Sequence, residues 1–437
     1  MTPLPLPSNS WTTVRPAVAE AAGPLLGAVL ELDVGAPAAG GSCVARHAGR
    51  VVFVRHALPG ERVRAQVSED RGGSFCRADA LEIVRASPDR VTPPCPHAGP
   101  GRCGGCDWQH ASAAAQRELK AAVIRDQFAR LAGIDLDGLL DGVAELPGGL
   151  LGWRTRITFA VGRDGRPGLR RHGSHDIERI DACPLGVPGV GDSPVLAQRW
   201  TGLTGIEAVA QGDTVTVLAH RPGPGRHARG RRPPDRVDVV SGPDSVHREL
   251  RGRDFSAAAA GFWQVHPAAA QAFATAMLDA ARPRAGETAL DLYAGAGALS
   301  AVLAEAVGQA GQVVGLESDR QAVADAATNL AQLPWAQVRS GRVSAATLDE
   351  LDVRPDVVVL DPPRAGAGAG VMTALHRLRP RTICYVSCDP ATLARDVATL
   401  RALGWGLAQL RAFDAYPMTQ HVECVATLQP DTGHDAP

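Results

Sequence analysis

The C-terminal part of the chain alternates short apolar runs with amphipathic segments, and this order restricts the possible folds more than any other feature. From about Ala257 onward, the apolar runs have the length of β-strands, and most of them precede a segment of helical periodicity. Strands that alternate with helices form a doubly wound parallel sheet. We therefore predict an α/β domain over residues 255–430, with strands over 288–293, 312–316, 356–361 and 382–387, helices over 267–281, 298–307, 320–332 and from 391, and a closing hairpin around 405–428.

The residues before this domain divide into three regions. Residues 1–26 are rich in Pro and Ala, which predicts a disordered tail. Residues 27–86 form short alternating patterns with Gly-rich turns, which is typical of a small five-stranded β-barrel of the oligonucleotide-binding kind. Residues 87–254 combine a cysteine-rich loop, a helix over 112–133 that is a candidate to dock on the C-terminal domain, and a β-rich stretch.

Charge and hydropathy exclude some classes of protein. The formal net charge is −1, so any site for a polyanion must be local. One such candidate is the Arg-rich loop over 220–236, although a solvated loop without a partner explains it equally well. No apolar run reaches the roughly 18 residues of a membrane helix, and no signal peptide is recognisable, so we expect a cytoplasmic protein without membrane contact.

A glycine turn between a strand and a helix indicates a nucleotide-like ligand. In "ALDLYAGAGALS" (289–300), Gly295 and Gly297 allow close approach of a ligand to a helix N-terminus. Glu317 ends the next strand, where a carboxylate can accept hydrogen bonds from ribose hydroxyls. The pattern fits NAD and S-adenosylmethionine, and a tight turn without a ligand is the plainer alternative. Asp291 at the end of the first strand favours S-adenosylmethionine.

A carboxylate and two prolines follow another apolar strand. "DVVVLDPPRAGAG" (356–368) places Asp361 where the strand ends, and the prolines stiffen the loop after it. Ligands bind at the carboxyl edge of open α/β sheets. A rigid turn remains the alternative, but with the glycine turn the motif resembles those of methyltransferases that act on nucleic-acid bases.

The most informative cysteine is Cys388, which lies between an apolar strand and a helix in "YVSCDPATLARD" (385–396). The dipole of the helix should favour a thiolate there. A thiolate that adds to C6 of a pyrimidine makes C5 nucleophilic, and a base must later remove the C5 proton. In "YPMTQHVECVATL" (416–428), Glu423 and His421 are both candidate bases, and because we expect them on one side of a strand, their spacing does not choose between them.

Together these motifs resemble the S-adenosylmethionine-dependent RNA uracil-5-methyltransferases, over about 27–430. The resemblance rests on "FWQVHP" (262–267), "LDLYAGAGALS", "LDPPRAG", "YVSCDPATLARD" and "HVEC", and "VVFVRHALPGERVRAQV" (51–67) resembles the TRAM barrel. It implies a class I, Rossmann-like methyltransferase domain behind a TRAM barrel and a β-rich central domain. It further implies Cys388 as nucleophile and Glu423 as base, and cofactor contacts from Gln264, Tyr293, Glu317 and Asp361. One departure is Ala298, where the family often has an asparagine near the cofactor.

Three cysteines lie in a Gly-rich loop, and a fourth lies downstream. Four thiolates can hold zinc or an iron–sulfur cluster, and a structural zinc site more often shows two C-x₂-C pairs. By the resemblance, the ribosomal branch of the family binds a [4Fe–4S] cluster at these positions, although the first gap, "PHAGPGR", is two residues longer than the family pattern. The predicted ligands are Cys95, Cys103, Cys106 and Cys183.

The sequence therefore predicts an enzyme that methylates C5 of a uridine in RNA, with S-adenosylmethionine and a [4Fe–4S] cluster as cofactors. By the resemblance, the cysteines and the barrel favour 23S rRNA as substrate, with tRNA as the alternative. Two other hypotheses are methylation of an exocyclic amino group, which needs no thiolate, and a catalytically decayed RNA-binding protein. The resemblance also makes Arg154, Arg156, Arg170 and Arg171 candidate RNA contacts, and we expect no obligate protein partner.

Overall fold

The computed structural model describes residues 25–223 and 235–431. Most of the predicted tail 1–26 and of the Arg-rich loop 220–236 lies outside these residues. In the described part, three sheets follow one another along the chain, with a long helix after the first and a hairpin after the second.

The first sheet is antiparallel except for one parallel pair, and its edges are open. Its strands are β1 (Val29–Asp33), β2 (Pro37–Ala38), β3 (Ser42–His47), β4 (Arg50–Arg55), β5 (Arg62–Glu69) and β6 (Phe75–Arg85). Their order is β1-β5-β6-β4-β3-β2, with β4 and β6 parallel. The prediction of five strands in a barrel therefore differs from the structure, which has six strands and no ladder that joins β1 to β2. The two-residue β2 is too short for its pattern to be recognised.

The second sheet is antiparallel throughout and belongs to the central region. Its strands are β8 (Arg156–Val161), β9 (Pro167–Arg170), β10 (Ile177–Glu178), β11 (Gly205–Gln211), β12 (Thr214–Arg221) and β13 (Arg236–Ser241), in the order β10-β9-β8-β11-β12-β13. A hairpin of β14 (Ser245–Leu250) and β15 (Arg253–Ala258) follows. The expected domain boundary at 254/255 falls inside β15. Leu250 and Phe255 of this hairpin pack into the core of the C-terminal domain, so the hairpin packs with that domain.

The third sheet carries the alternating strands and helices. Its elements are α2 (Ala269–Ala281), β16 (Thr288–Leu292), α3 (Ala298–Val307), β17 (Gln312–Glu317), α4 (Arg320–Asn329), β18 (Ala336–Ser340), α5 (Ala345–Asp349), β19 (Val357–Leu360), α6 (Ala369–Leu378), β20 (Thr382–Ser387), α7 (Pro390–Arg401), β21 (Trp405–Asp414) and β22 (Glu423–Pro430). The strands β16 to β20 are parallel, and β21 and β22 are antiparallel to their neighbours. Separate apolar cores cover the two faces of the sheet.

Two elements from before the central sheet complete the C-terminal domain. The helix α1 (Ala113–Ala132) begins after its N-cap Ser112, ends at Gly133, and buries Ile124 and Phe128 in the core beside α7. The strand β7 (Val143–Glu145) pairs in parallel with β21 at the sheet edge, which gives the order β18-β17-β16-β19-β20-β22-β21-β7. The N-terminal part of the chain thus supplies a helix and an edge strand that pack with the C-terminal sheet.

None of the helices in the described ranges combines the length and apolar character that a membrane span requires.

Candidate active site

The sheet topology brings the predicted site residues to one edge. The strands β16, β17, β19 and β20 run in parallel, so the residues that follow them lie at the same carboxyl edge. The order reverses between β16 and β19, which is where ligands bind in such sheets. Because β22 is antiparallel to β20, its first residue, Glu423, also lies at this edge, and Cys424 pairs with Ser387.

The glycine turn is held in a conformation that few other residues adopt. Gly295 and Gly297 have φ values of 54° and 80°, and a Cβ on Gly297 would lie 3.0 Å from the Cβ of Ala326 in α4. Tyr293 also has a positive φ, 64°, which is strained for a non-glycine residue and typical of binding sites. The backbone of the turn therefore lies at the sheet edge before α3 begins, and the two glycines have no side chains that would obstruct a ligand there.

Glu317 fixes this turn to the end of β17. Its Oε2 accepts a hydrogen bond from the backbone N–H of Gly295 at 3.0 Å, and its Oε1 accepts from Ser318 and Asp319. Asp291, which is buried, accepts a 2.5 Å hydrogen bond from the Ser300 hydroxyl. Burial raises the pKa of Asp291 to about 7 despite this bond.

A cavity of about 90 Å³ lies directly on this edge. Of the six predicted cofactor-contacting residues, Gln264, Tyr293, Gly295 and Asp361 line it, together with Asp291 and Ala298. Glu317 is joined to the lining through Gly295, and Gly297 lies behind it against α4. Burial and the neighbouring Asp291 raise the pKa of Asp361 to about 7. The cavity is thus bordered by the carboxyl groups of Asp291 and Asp361, which are close enough to affect each other's ionisation.

Cys388 is half-buried between β20 and α7. The Asp389 side chain caps α7 by accepting from the Thr392 N–H at 2.9 Å, and Pro390 occupies the first helical position. Burial, and then the Glu423 carboxyl, raise the pKa of the thiol to about 11, although Arg364 lowers it. Burial and the nearby carboxyls therefore outweigh the helix dipole, which we expected to favour a thiolate.

Glu423 is almost fully buried beside Cys388, with 3% of its surface exposed. Its Oε1 accepts a hydrogen bond from the Tyr416 hydroxyl at 3.0 Å, whereas Oε2 has no hydrogen-bond partner among the described residues. Burial, and then Asp361, raise the pKa of this carboxyl to about 8. A carboxyl with a pKa near neutrality is suited to general acid–base chemistry.

His421 does not share a strand face with Glu423, contrary to our expectation. It lies in the turn before β22, because that strand begins only at Glu423. Its Nε2 lies 3.4 Å from Nη2 of Arg364, and burial and Arg364 lower its pKa to about 4. The imidazole is thus directed at Arg364, and the unpartnered oxygen of Glu423 is the better proton acceptor.

Two residues that the sequence analysis did not assign belong to this site. Arg364, in the "DPPRAG" loop, lines a second cavity of about 240 Å³ with Cys388 and His421, and its charge lowers the pKa of both Cys388 and Glu423. Tyr416 is the hydrogen-bond donor to Glu423. The position of Arg364 directly after two prolines was a usable signal for it, whereas no local pattern marks Tyr416.

The four predicted metal-binding cysteines line one further cavity of about 200 Å³, in the central region. The N–H of Gly105 donates to Sγ of Cys103 at 3.4 Å, and Val265, next to Gln264, lines the same cavity. Within the described ranges, no three Cys, His, Asp or Glu side chains converge as ligands of a single metal ion. The structure therefore brings the four cysteines to one cavity without a compact single-ion site.

The arginines proposed as RNA contacts differ in their contacts within the protein. Arg156 forms an ion pair with Glu207 at 3.2 Å and donates to the carbonyls of Ala259 and Gly261, so it supports the segment before Gln264 and is not free to contact phosphate. Arg171 pairs with Glu178 at 2.9 Å. Arg170 is exposed and contacts His175. Arg156 is thus a structural residue.

Comparisons with known proteins identify the family of the chain. A family model described as tRNA (uracil-5-)-methyltransferase matches residues 244–430, and one described as TRAM domain matches residues 25–81. An uncharacterized RNA methyltransferase of Streptomyces avermitilis is 44% identical over 428 residues, which is 93% of this chain and 99% of the relative. Another, of Streptomyces coelicolor, is 45% identical over 433 residues, with 93% and 94% covered.

Among solved structures, the tRNA (uracil-54, C5)-methyltransferase of Pyrococcus abyssi in complex with S-adenosyl-L-homocysteine has the same overall fold. Its TM-score is 0.67 at 23% identity, over 91% of this chain and 100% of that chain. The Rossmann-like methyltransferase fold and the N-terminal TRAM domain are thereby confirmed. On the matches along nearly its whole length, the chain belongs to the tRNA (uracil-5-)-methyltransferase family and is an RNA methyltransferase.

Proposed function

We propose that the protein uses S-adenosylmethionine to methylate C5 of a uridine in RNA, most favourably 23S rRNA, through a covalent bond between Cys388 and C6. The observation that carries this proposal is the meeting of two groups that are far apart in the sequence. A half-buried thiol and a buried carboxyl with a free oxygen lie together at the ligand-binding edge of the sheet. Methylation of an exocyclic amino group needs no such pair.

The residues at the sheet edge fit S-adenosylmethionine. When bound, it supplies an electrophilic methyl group on a cationic sulfur. Asp291 and Asp361 line the cavity of about 90 Å³ with raised pKa values, so a cationic ligand favours their ionised forms. Tyr293 and Gln264 provide a ring and an amide on the same lining. Ala298 offers only a methyl group there, which removes one hydrogen bond that the family's asparagine would make.

Cys388 and Glu423 divide the chemistry between them. The Cys388 thiolate forms a bond to C6 of the uracil, and the electron pair of the C5–C6 double bond makes C5 the nucleophile. Because the pKa of the free thiol is about 11, the thiol must lose its proton when RNA binds, and the positive charge of Arg364 favours that loss. After methyl transfer, Glu423 takes the C5 proton, the double bond reforms and the thiolate leaves.

The choice between rRNA and tRNA rests on the N-terminal half. The cysteine cavity and the TRAM domain favour 23S rRNA by the resemblance described above. In the opposite direction, the matching family model and the Pyrococcus abyssi enzyme are both named for tRNA. Both substrates present a uridine that must leave its stack to reach the half-buried Cys388.

The proposal is tested by mass spectrometry of nucleosides from rRNA and tRNA of a strain that lacks the gene. We expect 5-methyluridine to disappear from 23S rRNA alone and to return with a plasmid copy of the wild-type gene. Loss from tRNA would keep the chemistry and refute the rRNA assignment. If neither pool changes, including after heterologous expression in a host without 5-methyluridine, the proposed reaction is refuted.

We further propose that the four cysteines hold a [4Fe–4S] cluster. They line one cavity, and apolar side chains such as Ile157, Leu169 and Ile180 surround them there. A four-iron cluster is larger than a single ion, so its thiolate ligands stand further apart than those of zinc. Methyl transfer through Cys388 needs no redox step, so such a cluster would serve structure or RNA binding.

Cysteine replacement gives a direct measure of this cluster. We expect protein purified without oxygen to contain iron and acid-labile sulfide in equal amounts, and C103S/C106S to contain neither, because two of four ligands are lost. Metal analysis and the visible absorbance spectrum supply the measurement. The matched control, C76A, removes a buried TRAM thiol and should retain iron. Zinc instead of iron in the wild-type protein would contradict the prediction.

Replacement of Glu317 should weaken cofactor binding. We expect E317A to raise the dissociation constant for S-adenosylhomocysteine roughly 10-fold or more, because a charged hydrogen bond contributes about 1.5–3 kcal/mol and the Gly295 turn loses its anchor. Isothermal titration calorimetry measures the change. E350A, which removes an exposed acid at the end of α5, serves as control. Equal affinities of E317A and E350A would show that Glu317 has no part in binding.

A further inference from the structure

The environment of Glu423 makes its two carboxyl oxygens unequal. The Tyr416 hydroxyl donates to Oε1 at 3.0 Å, and Oε2 is buried with no partner among the described residues. Leaving a buried carboxylate oxygen without a donor is unfavourable, and such atoms in folded proteins often have a functional role. The asymmetry therefore identifies Oε2 as the oxygen that is free to receive a proton.

We propose that Tyr416 is a positioning residue, which holds Oε1 of Glu423 so that Oε2 takes the C5 proton, and that Lys120 positions Tyr416 in turn. This inference rests on the proposed uridine methylation. In the step concerned, Oε2 forms a bond to the C5 proton and the electrons of the C5–H bond form the C5–C6 double bond. The C6–Sγ bond breaks, and its electron pair stays on the Cys388 sulfur as a thiolate.

Lys120 is the only lysine of the chain, and it is buried. From α1 its Nζ donates to Oδ1 of Asp414 at 2.5 Å and to the backbone carbonyl of Tyr416 at 3.0 Å. A buried lysine is unfavourable without such partners, because its charge has left water. Its two bonds fix the chain at the end of β21, immediately before the turn that leads to Glu423.

The remainder of this turn is also held by residues from before the central sheet. Gln116 of α1 accepts from the Met418 N–H at 2.8 Å, and Asp107 accepts from the Gln420 N–H at 3.0 Å. The Trp153 ring meets the Tyr416 ring edge-on, with centroids 6.1 Å apart. The phenol thus has a defined position from which to donate, and α1 contributes to the active site through this turn.

Tyr416 also affects the pKa of Glu423 in a predictable direction. Among the described residues, the titratable groups that interact with Glu423 are Asp361, Arg364, Cys388, Tyr416 and the adjacent Cys424. Burial and Asp361 raise the pKa of Glu423, whereas the Tyr416 hydrogen bond and Arg364 lower it. Loss of the phenol therefore raises this pKa further, and the carboxylate required for proton removal forms only at higher pH.

The test measures the covalent protein–RNA adduct in a single turnover. Wild-type protein and Y416F are mixed with labelled methyl donor and total RNA from a strain that lacks the gene, and the methylated adduct is followed on denaturing gels. We expect Y416F to form the adduct at the wild-type rate and to resolve it roughly 10-fold more slowly or worse. The pH at half-maximal resolution rate should also rise relative to the wild type.

Y385F is the matched control. It removes another buried phenol, which donates to Asp396 at 2.7 Å outside the Glu423 environment, and should resolve its adduct at the wild-type rate. Wild-type resolution by Y416F, or slower adduct formation without accumulation and with a lower melting temperature, overturns the positioning role. If even the wild-type protein forms no adduct, the proposed function itself fails, which is a different result.

A second pair of substitutions tests the role of Lys120. K120M alone leaves the carboxylate of Asp414 buried and unpaired, which can unfold the protein. The double variant K120M/D414N removes both charges and keeps similar side-chain volumes. We expect it to fold, as measured by circular dichroism, and to accumulate the methylated adduct as Y416F does. A folded double variant with wild-type resolution would refute the contribution of Lys120.

Discussion

Replacement of Cys388 by alanine is expected to abolish methyl transfer, with a loss of at least about 10⁴-fold in rate. Without the thiolate, C5 of uracil has no means of becoming nucleophilic, and the two thiols of the adjoining strands are too buried to replace it. Cys384 is enclosed in β20, and Cys424 is equally buried in β22. The measurement is incorporation of a labelled methyl group into RNA from a strain that lacks the gene, together with a denaturing gel for the covalent adduct.

The control for this prediction is C384A, which removes a thiol from β20, the strand that precedes Cys388, without touching the site. It should retain activity and adduct formation, with some loss of stability because a buried group is removed. Binding of S-adenosylhomocysteine should be unchanged in C388A, which separates catalysis from binding. Methyl incorporation by C388A at the wild-type rate would refute the covalent mechanism.

Replacement of Glu423 by glutamine is expected to trap the methylated adduct. The amide cannot take the C5 proton, so C5 is methylated but the bond between Cys388 and C6 persists, and turnover falls by roughly 10²–10⁴-fold. Adduct that carries the label and survives denaturation is the measurement. H421Q is the comparison, because it removes the rival base. Trapping in H421Q but not in E423Q would reverse the assignment of the base.

The same substitution, E423Q, is expected to raise stability at high pH although it lowers turnover. In the folded protein the pKa of Glu423 is raised to about 8 from its ordinary value of 4.5, chiefly by burial. The folded state therefore binds this proton more tightly than the unfolded chain, and stability falls as the pH rises from below 4.5 through 8. E423Q lacks this penalty. We expect its melting temperature to exceed that of the wild type by a few degrees at pH 9 and to match it near pH 4.

Much of the α/β domain follows from local pattern. The predicted strand over 382–387 agrees with β20, and the predicted helix over 298–307 agrees with α3, because both have a continuous apolar or periodic run with a clear boundary. The two-residue β2 and the three-residue β7 were missed, since so few residues carry no periodicity. The helix α6 was missed as well, because Gly-rich residues precede it and mask its beginning.

The sequence by itself determined the family, the Rossmann-like domain, and Cys388 and Glu423 as candidates. The motifs that indicate them consist of adjacent residues, so a local pattern is enough to recognise them. Only the tertiary structure decided how these groups act. The antiparallel direction of β22 brings Glu423 beside Cys388, and the burial that results raises the pKa of both groups. Likewise, Lys120 meets Asp414 across 294 residues of sequence. Contacts between distant segments depend on how the sheet and its helices pack, and no local pattern contains that information.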